Sequence, residues 1–330
     1  MNVKKVLITI VALVAIGALA WYADRYFQKQ NSSPVVPSAT LNKLVDENKT
    51  NTPTAEKIIF ASNSDDKKEI IQSNISGEKT TLFTDQDEDL KIKQWGGLAN
   101  LAGEFLLDVG SGSLQIVKVS DIGKKEIVME KFGIPSTTLI SPDGNQVAYV
   151  SFSNAEADYG FGLYKMTKSG ENLRKLVHGE QEIKNLAWNL DSNKIVFSQA
   201  NKDKTEIKIT DISSDQTQSI YETNQTVLGI SVSSKNKIIF TLADPKNLSN
   251  SEIDIIDFDG KNNQKIYEIK DRAALYPYVS SDFTYLTYLA VEAKDNKIEK
   301  DAEGVVTLIK IGTDGNKKVG NANRILGWLQ

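Results

Sequence analysis

The chain has 330 residues, of which 40% are hydrophobic and 25% charged, and its formal net charge at pH 7 is −4. The acidic balance argues against nucleic-acid binding, because proteins that track phosphates carry a basic excess. The absence of cysteine excludes disulfides, thiol nucleophiles and Cys-based metal sites, and a single histidine excludes a multi-histidine metal site.

The N-terminal segment, residues 1–22, predicts a membrane span. Lys4 and Lys5 precede residues 6–22, which contain no charge. At about 1.5 Å per residue this run extends about 26 Å, enough to cross a hydrocarbon core. The competing interpretation is a signal peptide cleaved after Ala20, at a site of A-x-A type. Both interpretations export the rest of the chain.

Residues 23–55 predict a flexible linker. They are rich in Asn, Ser, Thr, Pro and Lys, with too little apolar content to offset the entropy of ordering. Residues 41–45 (Leu-Asn-Lys-Leu-Val) are the exception and are compatible with a helical turn. A coil of this length has a root-mean-square span of about 30 Å, so the folded part stays close to the membrane.

From residue 56 onward the sequence repeats. Short apolar runs alternate with Gly, Asn, Asp and Ser, a pattern typical of strands and turns. One apolar triplet recurs at 58–60, 105–107, 147–149, 195–197, 238–240 and 286–288. A period in the mid-forties equals the length of four strands with their loops.

The C-terminal segment supplies a strand that the first unit lacks. Residues 324–329 align with 185–188, which form the innermost strand of the fourth unit. A strand from the end of the chain would complete the first unit and leave no open edge between sheets. We therefore predict an all-β fold over residues 56–330: a six-bladed β-propeller of four-stranded antiparallel blades, closed by the C-terminal strand.

The clearest unit of the repeat resembles a known family. The turn 141–144 (Ser-Pro-Asp-Gly) is followed by 147–149 (Val-Ala-Tyr), by 163–166 (Leu-Tyr-Lys-Met) and by a glycine turn. This sequence resembles the repeat of TolB-like β-propellers across residues 56–330. In other units the turn motif is degraded, since Pro is missing at 188–191 and both Pro and Asp are missing at 232–235. The resemblance implies architecture more than function, because the same blade occurs in binding scaffolds and in serine peptidases.

The face that carries the longer loops is the predicted binding face. Loops 153–162, 243–252 and 291–304 are long and polar, and such loops on a rigid ring commonly bind ligands. The alternative is that they are solvated insertions. The candidate binding residues on this face and near the channel are Asp85, Asp87, Asp89, Asp158, Tyr159, Asp244, Tyr276, Tyr278 and Asp295.

Two of these groups have a specific chemical interpretation. Asp85, Asp87 and Asp89 present carboxylates at alternate positions, which suits calcium, although the Gly and the distal Glu of an EF-hand loop are absent. A solvated acidic turn is the alternative. Tyr276 and Tyr278 enter the innermost strand of the sixth unit, where they would stack on a peptide or a sugar or fill the wedge between blades.

Other conspicuous residues have structural interpretations. Trp95, Trp188 and Trp328 share one blade position, which predicts packing between neighbouring sheets. Asp254, Asp257 and Asp259 are expected to be outward strand residues and turn formers. His178 has no G-x-S-x-G nucleophile elbow to serve, and residues 110–113 (Gly-Ser-Gly-Ser) lack the Lys and helix of a phosphate loop.

We therefore expect an extracytoplasmic scaffold that binds an envelope protein, peptide or polysaccharide. It would be a single-pass protein of the bacterial cytoplasmic membrane, or a secreted protein if cleavage follows Ala20. No cofactor, catalytic residue or nucleic-acid partner is predicted. The alternative is a carboxylate- or calcium-dependent hydrolase or lyase that acts on sugars or lactones in the central channel.

Overall fold

The computed structural model divides into two units, Met1–Thr40 and Leu41–Gln330, and all described residues lie in the second. The described residues are 56–64, 67–85, 94–98, 104–108, 114–118, 121–129, 137–156, 159–201, 203–300, 302–313 and 315–329. The predicted anchor or signal peptide 1–22 and the predicted linker 23–55 therefore lie outside them. Among the described residues, no helix has the length and apolar character needed to span a membrane.

The described residues form six four-stranded antiparallel sheets, which we call blades 1 to 6. Blade 1 contains β1 (Lys57–Ser64), β2 (Lys67–Ser73), β3 (Lys79–Asp85) and β24 (Arg324–Leu329). Blade 2 contains β4 (Gln94–Leu98), β5 (Glu104–Asp108), β6 (Leu114–Lys118) and β7 (Asp121–Met129). Blade 3 contains β8 (Thr137–Ile140), β9 (Gln146–Ser153), β10 (Gly160–Thr167) and β11 (Arg174–Gly179).

The remaining three blades follow the same order along the chain. Blade 4 contains β12 (Ile183–Trp188), β13 (Lys194–Asn201), β14 (Lys204–Asp211) and β15 (Thr217–Thr223). Blade 5 contains β16 (Thr226–Val232), β17 (Lys237–Asp244), β18 (Asn247–Asp257) and β19 (Gln264–Ile269). Blade 6 contains β20 (Ala273–Val279), β21 (Tyr285–Val291), β22 (Gly304–Lys310) and β23 (Asn316–Ala322).

The C-terminal strand closes the ring. β24 pairs with β1 in antiparallel register from Lys57↔Leu329 to Ala61↔Arg324. The innermost strands β24, β4, β8, β12, β16 and β20 each contact the next one in a closed circle. The prediction of an all-β propeller of four-stranded antiparallel blades, completed by its last strand, is confirmed.

The apolar triplets of the repeat form the second strand of each blade. Where their side chains are described, they are buried almost completely, including all three residues of 58–60, 195–197 and 238–240. A second strand has a strand on each side and a neighbouring blade over each face, so both of its faces are apolar. This explains why the repeat shows a continuous apolar triplet rather than alternation.

The turns between the first and second strands of blades 3 to 6 share one hydrogen-bond pattern despite their different sequences. Each begins with a buried polar residue, namely Ser141, Asn189, Ser233 or Ser280. Its side-chain oxygen accepts a backbone N–H four or five residues later, at distances of 2.9, 2.8, 3.1 and 2.9 Å respectively. Because only an oxygen acceptor is required, loss of Pro and Asp from the motif leaves the turn intact.

One predicted long loop is absent. Residues 243–252 were expected to form a loop, but β17 and β18 continue through this region and leave only Pro245 and Lys246 as the turn. The register shifts between Ala243 and Asp244, so the extra residues form a bulge in β18. The polar composition that indicated a loop reflects an exposed hairpin end instead.

Candidate functional site

The innermost strands enclose a central cavity of about 420 Å³. Its walls come from β8, β12, β16, β20 and β24, and further lining residues come from the segment before β1 and from the β21–β22 loop. The register shifts along β4, β12, β16, β20 and β24 are β-bulges or related irregularities. Such bulges re-aim side chains, which places polar groups on the channel wall between apolar ones.

Apolar side chains at the ends of the innermost strands line one end of the cavity, which we call the apolar mouth, and Glu56, Ser233, Ser234 and Ser281 line the same end. It is formed where the innermost strands end, by Ile140, Trp188, Val232, Val279 and Trp328. The short turns that follow these strands lie at the same end. Trp188 and Trp328 also pack into the cores between blades, which confirms the packing predicted for these two residues.

Glu56 is fixed at the rim of the apolar mouth. Both carboxylate oxygens of Glu56 accept the backbone N–H of Ser281 at 3.2 Å, and the Ser281 hydroxyl also donates to Glu56. Ser281 belongs to the turn between β20 and β21, so the contact links the start of blade 1 to blade 6. The described part of the chain thus begins at the channel opening.

An arginine lies beside an aromatic ring in the wall of the cavity. The guanidinium carbon of Arg324, at the start of β24, lies 5.2 Å from the ring centroid of Tyr276, a distance typical of a cation–π contact. Tyr276 has a left-handed φ of 51° at the bulge of β20. Burial raises the pKa of the adjacent Tyr278, and Arg324 opposes that rise. All three side chains line the cavity.

The bulge in β20 also requires a glycine on the neighbouring strand. A Cβ atom on Gly229 of β16 would lie 2.8 Å from Pro277 Cδ and 3.0 Å from the Tyr276 nitrogen. The Ser231 hydroxyl donates to the Pro277 carbonyl across the same contact. The close approach of the two backbones therefore holds Tyr276 in its unusual conformation.

Asn185 connects blades 4 and 5 at the channel wall. Its Nδ2 donates to Ser198 Oγ and to the Val227 carbonyl, each at 2.9 Å. Asn185 has a φ of 54°, which asparagine tolerates better than most residues. The Val227 carbonyl lies beside the register shift in β16, so the Asn185 amide joins the two innermost strands where the pairing of β16 is irregular.

Replacement of Asn185 by Ala should lower the free energy of unfolding by about 1–2 kcal/mol, because two hydrogen bonds between partly buried groups are lost. Asn172→Ala is a matched control, since Asn172 has a φ of 55° but is exposed. The difference between the two variants in urea denaturation isolates the hydrogen bonds from the backbone cost. Equal losses in both variants would contradict the bridging role.

The β21–β22 loop reaches the other end of the cavity. Glu299, Lys300 and Ala302 line the cavity, and Ile298 packs against the core between blades 6 and 1. Asn296 fixes the loop to blade 5, because its Oδ1 accepts the Leu248 N–H at 2.7 Å and its Nδ2 donates to the Pro245 carbonyl at 2.8 Å. This end therefore carries Glu299 and Lys300, whereas the apolar mouth carries Glu56 beside its apolar side chains.

The structure separates the predicted site residues. Tyr276 and Tyr278 line the cavity together, as their position in the innermost strand indicated. Asp244 is exposed at the end of β17 and accepts the Lys246 N–H at 2.8 Å, so it stabilises a turn. Asp295 is exposed in the β21–β22 loop with a φ of 49°. Neither aspartate is among the described residues that line the cavity.

The other predicted residues lie apart from the channel or outside the described residues. Asp85 is the last residue of β3, and its backbone lies opposite Lys68 in the register of β2 and β3. Asp87, Asp89 and Asp158 lie outside the described residues. Across the described ranges, no group of three or more His, Asp or Glu side chains is placed to hold a metal ion.

Tyr159 belongs to a separate aromatic cluster on the long-loop face of blade 3. Its ring is 55% exposed and lies 5.4 Å from Phe152, whose ring is 4.8 Å from Phe161. His178 Nε2 lies 3.2 Å from the Tyr159 carbonyl. His178 therefore contacts the backbone beside the aromatic cluster.

The prediction for Asp254 is wrong. Asp254 is only 5% exposed, because blade 4 covers the face of β18 on which it lies. Its Oδ2 accepts from Asn263 at 3.3 Å, whereas no hydrogen bond reaches its buried Oδ1. Burial, reinforced by the nearby Glu252, raises the pKa of Asp254 to about 7. Asp257 and Asp259 are half-buried and exposed respectively and stabilise their turn, as predicted.

Sequence analysis missed Arg324 and Asn185 as channel residues. Each is a polar residue that directly precedes two buried apolar positions of an innermost strand, Ile325 and Leu326 after Arg324 and Leu186 and Ala187 after Asn185. Such an interruption is the signal that would have identified them. The direction of these side chains is set by the bulges in β12 and β24. The alternation of polar and apolar residues in the sequence does not reveal where a bulge lies.

Comparisons with known proteins support the fold. No protein-family model and no curated protein sequence matches this chain. A putative TolB from Agrobacterium tumefaciens is similar in structure with a TM-score of 0.60 and 14% identity, over 82% of this chain and 90% of that one. TolB from Acinetobacter baumannii is similar with a TM-score of 0.57 and 12% identity, over 83% of this chain and 66% of that one.

The same fold occurs in proteins of other kinds. An oligogalacturonate lyase in complex with manganese is similar with a TM-score of 0.52 and 8% identity, over 76% of this chain and 70% of that one. At these identities the likeness shows the fold alone. The chain is thus a propeller of TolB-like architecture, and its function has to be argued from its own residues.

Proposed function

We propose that the chain is a protein-binding scaffold of the bacterial cell envelope that uses its central channel for recognition. Residues 6–22 would tether it to the cytoplasmic membrane, with the propeller outside the cytoplasm. The TolB-like fold supports a protein-binding role. The uncharged run of residues 6–22 and the polar linker support the location.

The observation that carries the proposal is the composition of the channel. An apolar mouth leads to the Arg324–Tyr276 pair, within a cavity of about 420 Å³. Ligand sites typically combine an apolar lining with a few placed polar groups, and Arg and Tyr are enriched where binding energy concentrates. A peptide segment with an apolar side chain and an acceptor group fits this arrangement.

A photo-crosslinking amino acid at Val279, in the wall of the channel, tests the proposal in intact membranes. We expect a protein adduct whose yield falls at least tenfold when Arg324→Gln and Tyr276→Ala are combined. The same probe at Leu173, which is 54% exposed on blade 3, is the matched control and should give no such adduct. An adduct that is insensitive to the channel substitutions would contradict recognition through the channel.

The alternative function, a hydrolase or lyase that acts on sugars or lactones, is supported by the structural similarity to an oligogalacturonate lyase. A purified chain that releases unsaturated uronates from oligogalacturonate in the presence of manganese would support it. A calcium-dependent rise in melting temperature that Asp87→Ala abolishes would support it as well. Adduct formation at Val279 without either response favours the scaffold.

A further inference from the structure

The channel mouth and the end of the predicted linker coincide. Glu56 is hydrogen-bonded to Ser281 at the rim, and both residues line the cavity. The chain that precedes Glu56 therefore leaves the propeller at the apolar mouth. The half-buried Trp328 lies at this exit, and Trp188, which is 7% exposed, lines the same end of the cavity.

The linker carries a short apolar segment within reach of that opening. Residues 41–45 contain Leu41, Leu44 and Val45 and are the apolar segment of the linker that lies nearest to Glu56 in the sequence. Ten residues, 46–55, separate this segment from Glu56. Fully extended they span about 35 Å, and as a flexible coil about 18 Å. Both lengths are sufficient for the segment to fold back into the mouth.

We propose that residues 41–45 dock in the apolar mouth, so that the chain carries an intramolecular ligand for its own channel. The chemistry matches, because two leucines and a valine would cover the half-buried apolar side chains at this end, which are Pro142, Leu190, Val232 and Trp328. A linker of this length gives an effective concentration in the millimolar range. An affinity too weak to matter between separate molecules is therefore enough to fill the mouth.

Docking would regulate the site described above, and this consequence rests on the proposed function. A partner that enters the channel must displace residues 41–45, so the segment lowers the apparent affinity by the fraction of time that it occupies the mouth. Displacement would also lengthen the free tether from residues 23–40 to residues 23–55. On the square-root rule the span then rises from about 23 Å to about 30 Å.

The absence of cysteine allows a direct test in the full-length chain. Leu44→Cys and Ser234→Cys place one thiol on the segment and one at the mouth, where Ser234 lines the cavity. The rate of disulfide formation under mild oxidation reports docking. The reference background adds Leu41→Ser and Val45→Ser, which keep the linker length but remove apolar surface.

We expect the protein with only the two cysteine substitutions to form its disulfide at least tenfold faster than the reference, which also carries Leu41→Ser and Val45→Ser. A matched control, Asn48→Ser with Asn51→Ser, changes two polar residues of the same linker and should leave the fast rate unchanged. Equal rates in all three backgrounds would show that residue 44 approaches Ser234 only by tethered diffusion, which overturns the proposal. Disulfide-linked dimers would also overturn it, because the occupant would then be a second copy.

A second measurement separates this proposal from the proposed function. In membranes, Leu41→Ser with Val45→Ser should raise the adduct yield at Val279, because the docked segment no longer competes with the partner for the mouth. Fast disulfide formation without any adduct would support docking while contradicting the scaffold role. A slow rate together with a strong, channel-dependent adduct would do the reverse.

Discussion

Deletion of residues 322–330 should lower the free energy of unfolding by about 5 kcal/mol or more, enough to abolish a cooperative transition in a protein of ordinary stability. The deletion removes β24, which pairs with β1 through five residue pairs. It also removes Ile325 and Leu326, which are at most 1% exposed. The backbone groups of β1 would lose their partners at the same time, and the ring between blades 6 and 2 would open.

The measurement is urea denaturation followed by far-ultraviolet circular dichroism. Because a truncated chain can fail to accumulate, Ile325→Ala provides a second measurement, with an expected loss of about 2–5 kcal/mol. Leu173→Ala is the matched control, since Leu173 is 54% exposed and should change stability by less than about 0.5 kcal/mol. A truncated chain that melts like the full one would show that β24 does not close the ring.

The fold could be predicted because its two strongest signals are local in the sequence. The apolar triplet marks the strand that is buried on both faces, and its period gives the length of a blade. The missing first strand of blade 1 and the surplus strand at residues 324–329 then imply closure, which β24 confirms. The turns looked degraded because Pro and Asp were treated as essential, whereas the structure needs only an acceptor such as Asn189 or Ser233.

The channel could be predicted only in part. Tyr276 and Tyr278 were identified because position in the innermost strand is readable from the repeat. Arg324 and Asn185 were not, because a bulge depends on contacts with the neighbouring strand, such as the close approach of Gly229 to Pro277. The acidic candidates Asp244 and Asp295 were chosen for loop position, yet loop position alone does not direct a side chain toward the channel.

Asp254 shows the same limit, because alternation along β18 gives a face but not what covers it. The carboxyl group lies between blades 4 and 5, close to Glu252 on its own strand. Lys265 on β19 bonds to Glu252 at 2.8 Å, and Asn263 donates to Asp254. From blade 4, Tyr221 faces the group, and its pKa is raised by burial and then by Asp254 and Glu252.

The pKa of Asp254 implies how the contribution of this one group to stability changes with pH. Because the folded state raises this pKa from 3.8 to about 7, it binds the proton more tightly than the unfolded chain does. The contribution of Asp254 to the free energy of unfolding should therefore be largest below about pH 4, fall as the pH rises to about 7, and then level off. The loss over this window is on the order of 2–4 kcal/mol.

Asp254→Asn should remove this dependence, because an amide keeps the shape of the group without its charge. At pH 8 we expect the variant to be more stable than the parent chain by on the order of 2–4 kcal/mol, and at pH 4 the two should be nearly equal. Denaturant titrations at both pH values measure the difference. Asp259→Asn is the matched control on the same blade, because Asp259 is exposed and its pKa is lowered by the Lys261 side chain. A variant at position 254 that loses stability at pH 8 would mean that the ionised carboxylate has a partner between the blades and holds them together.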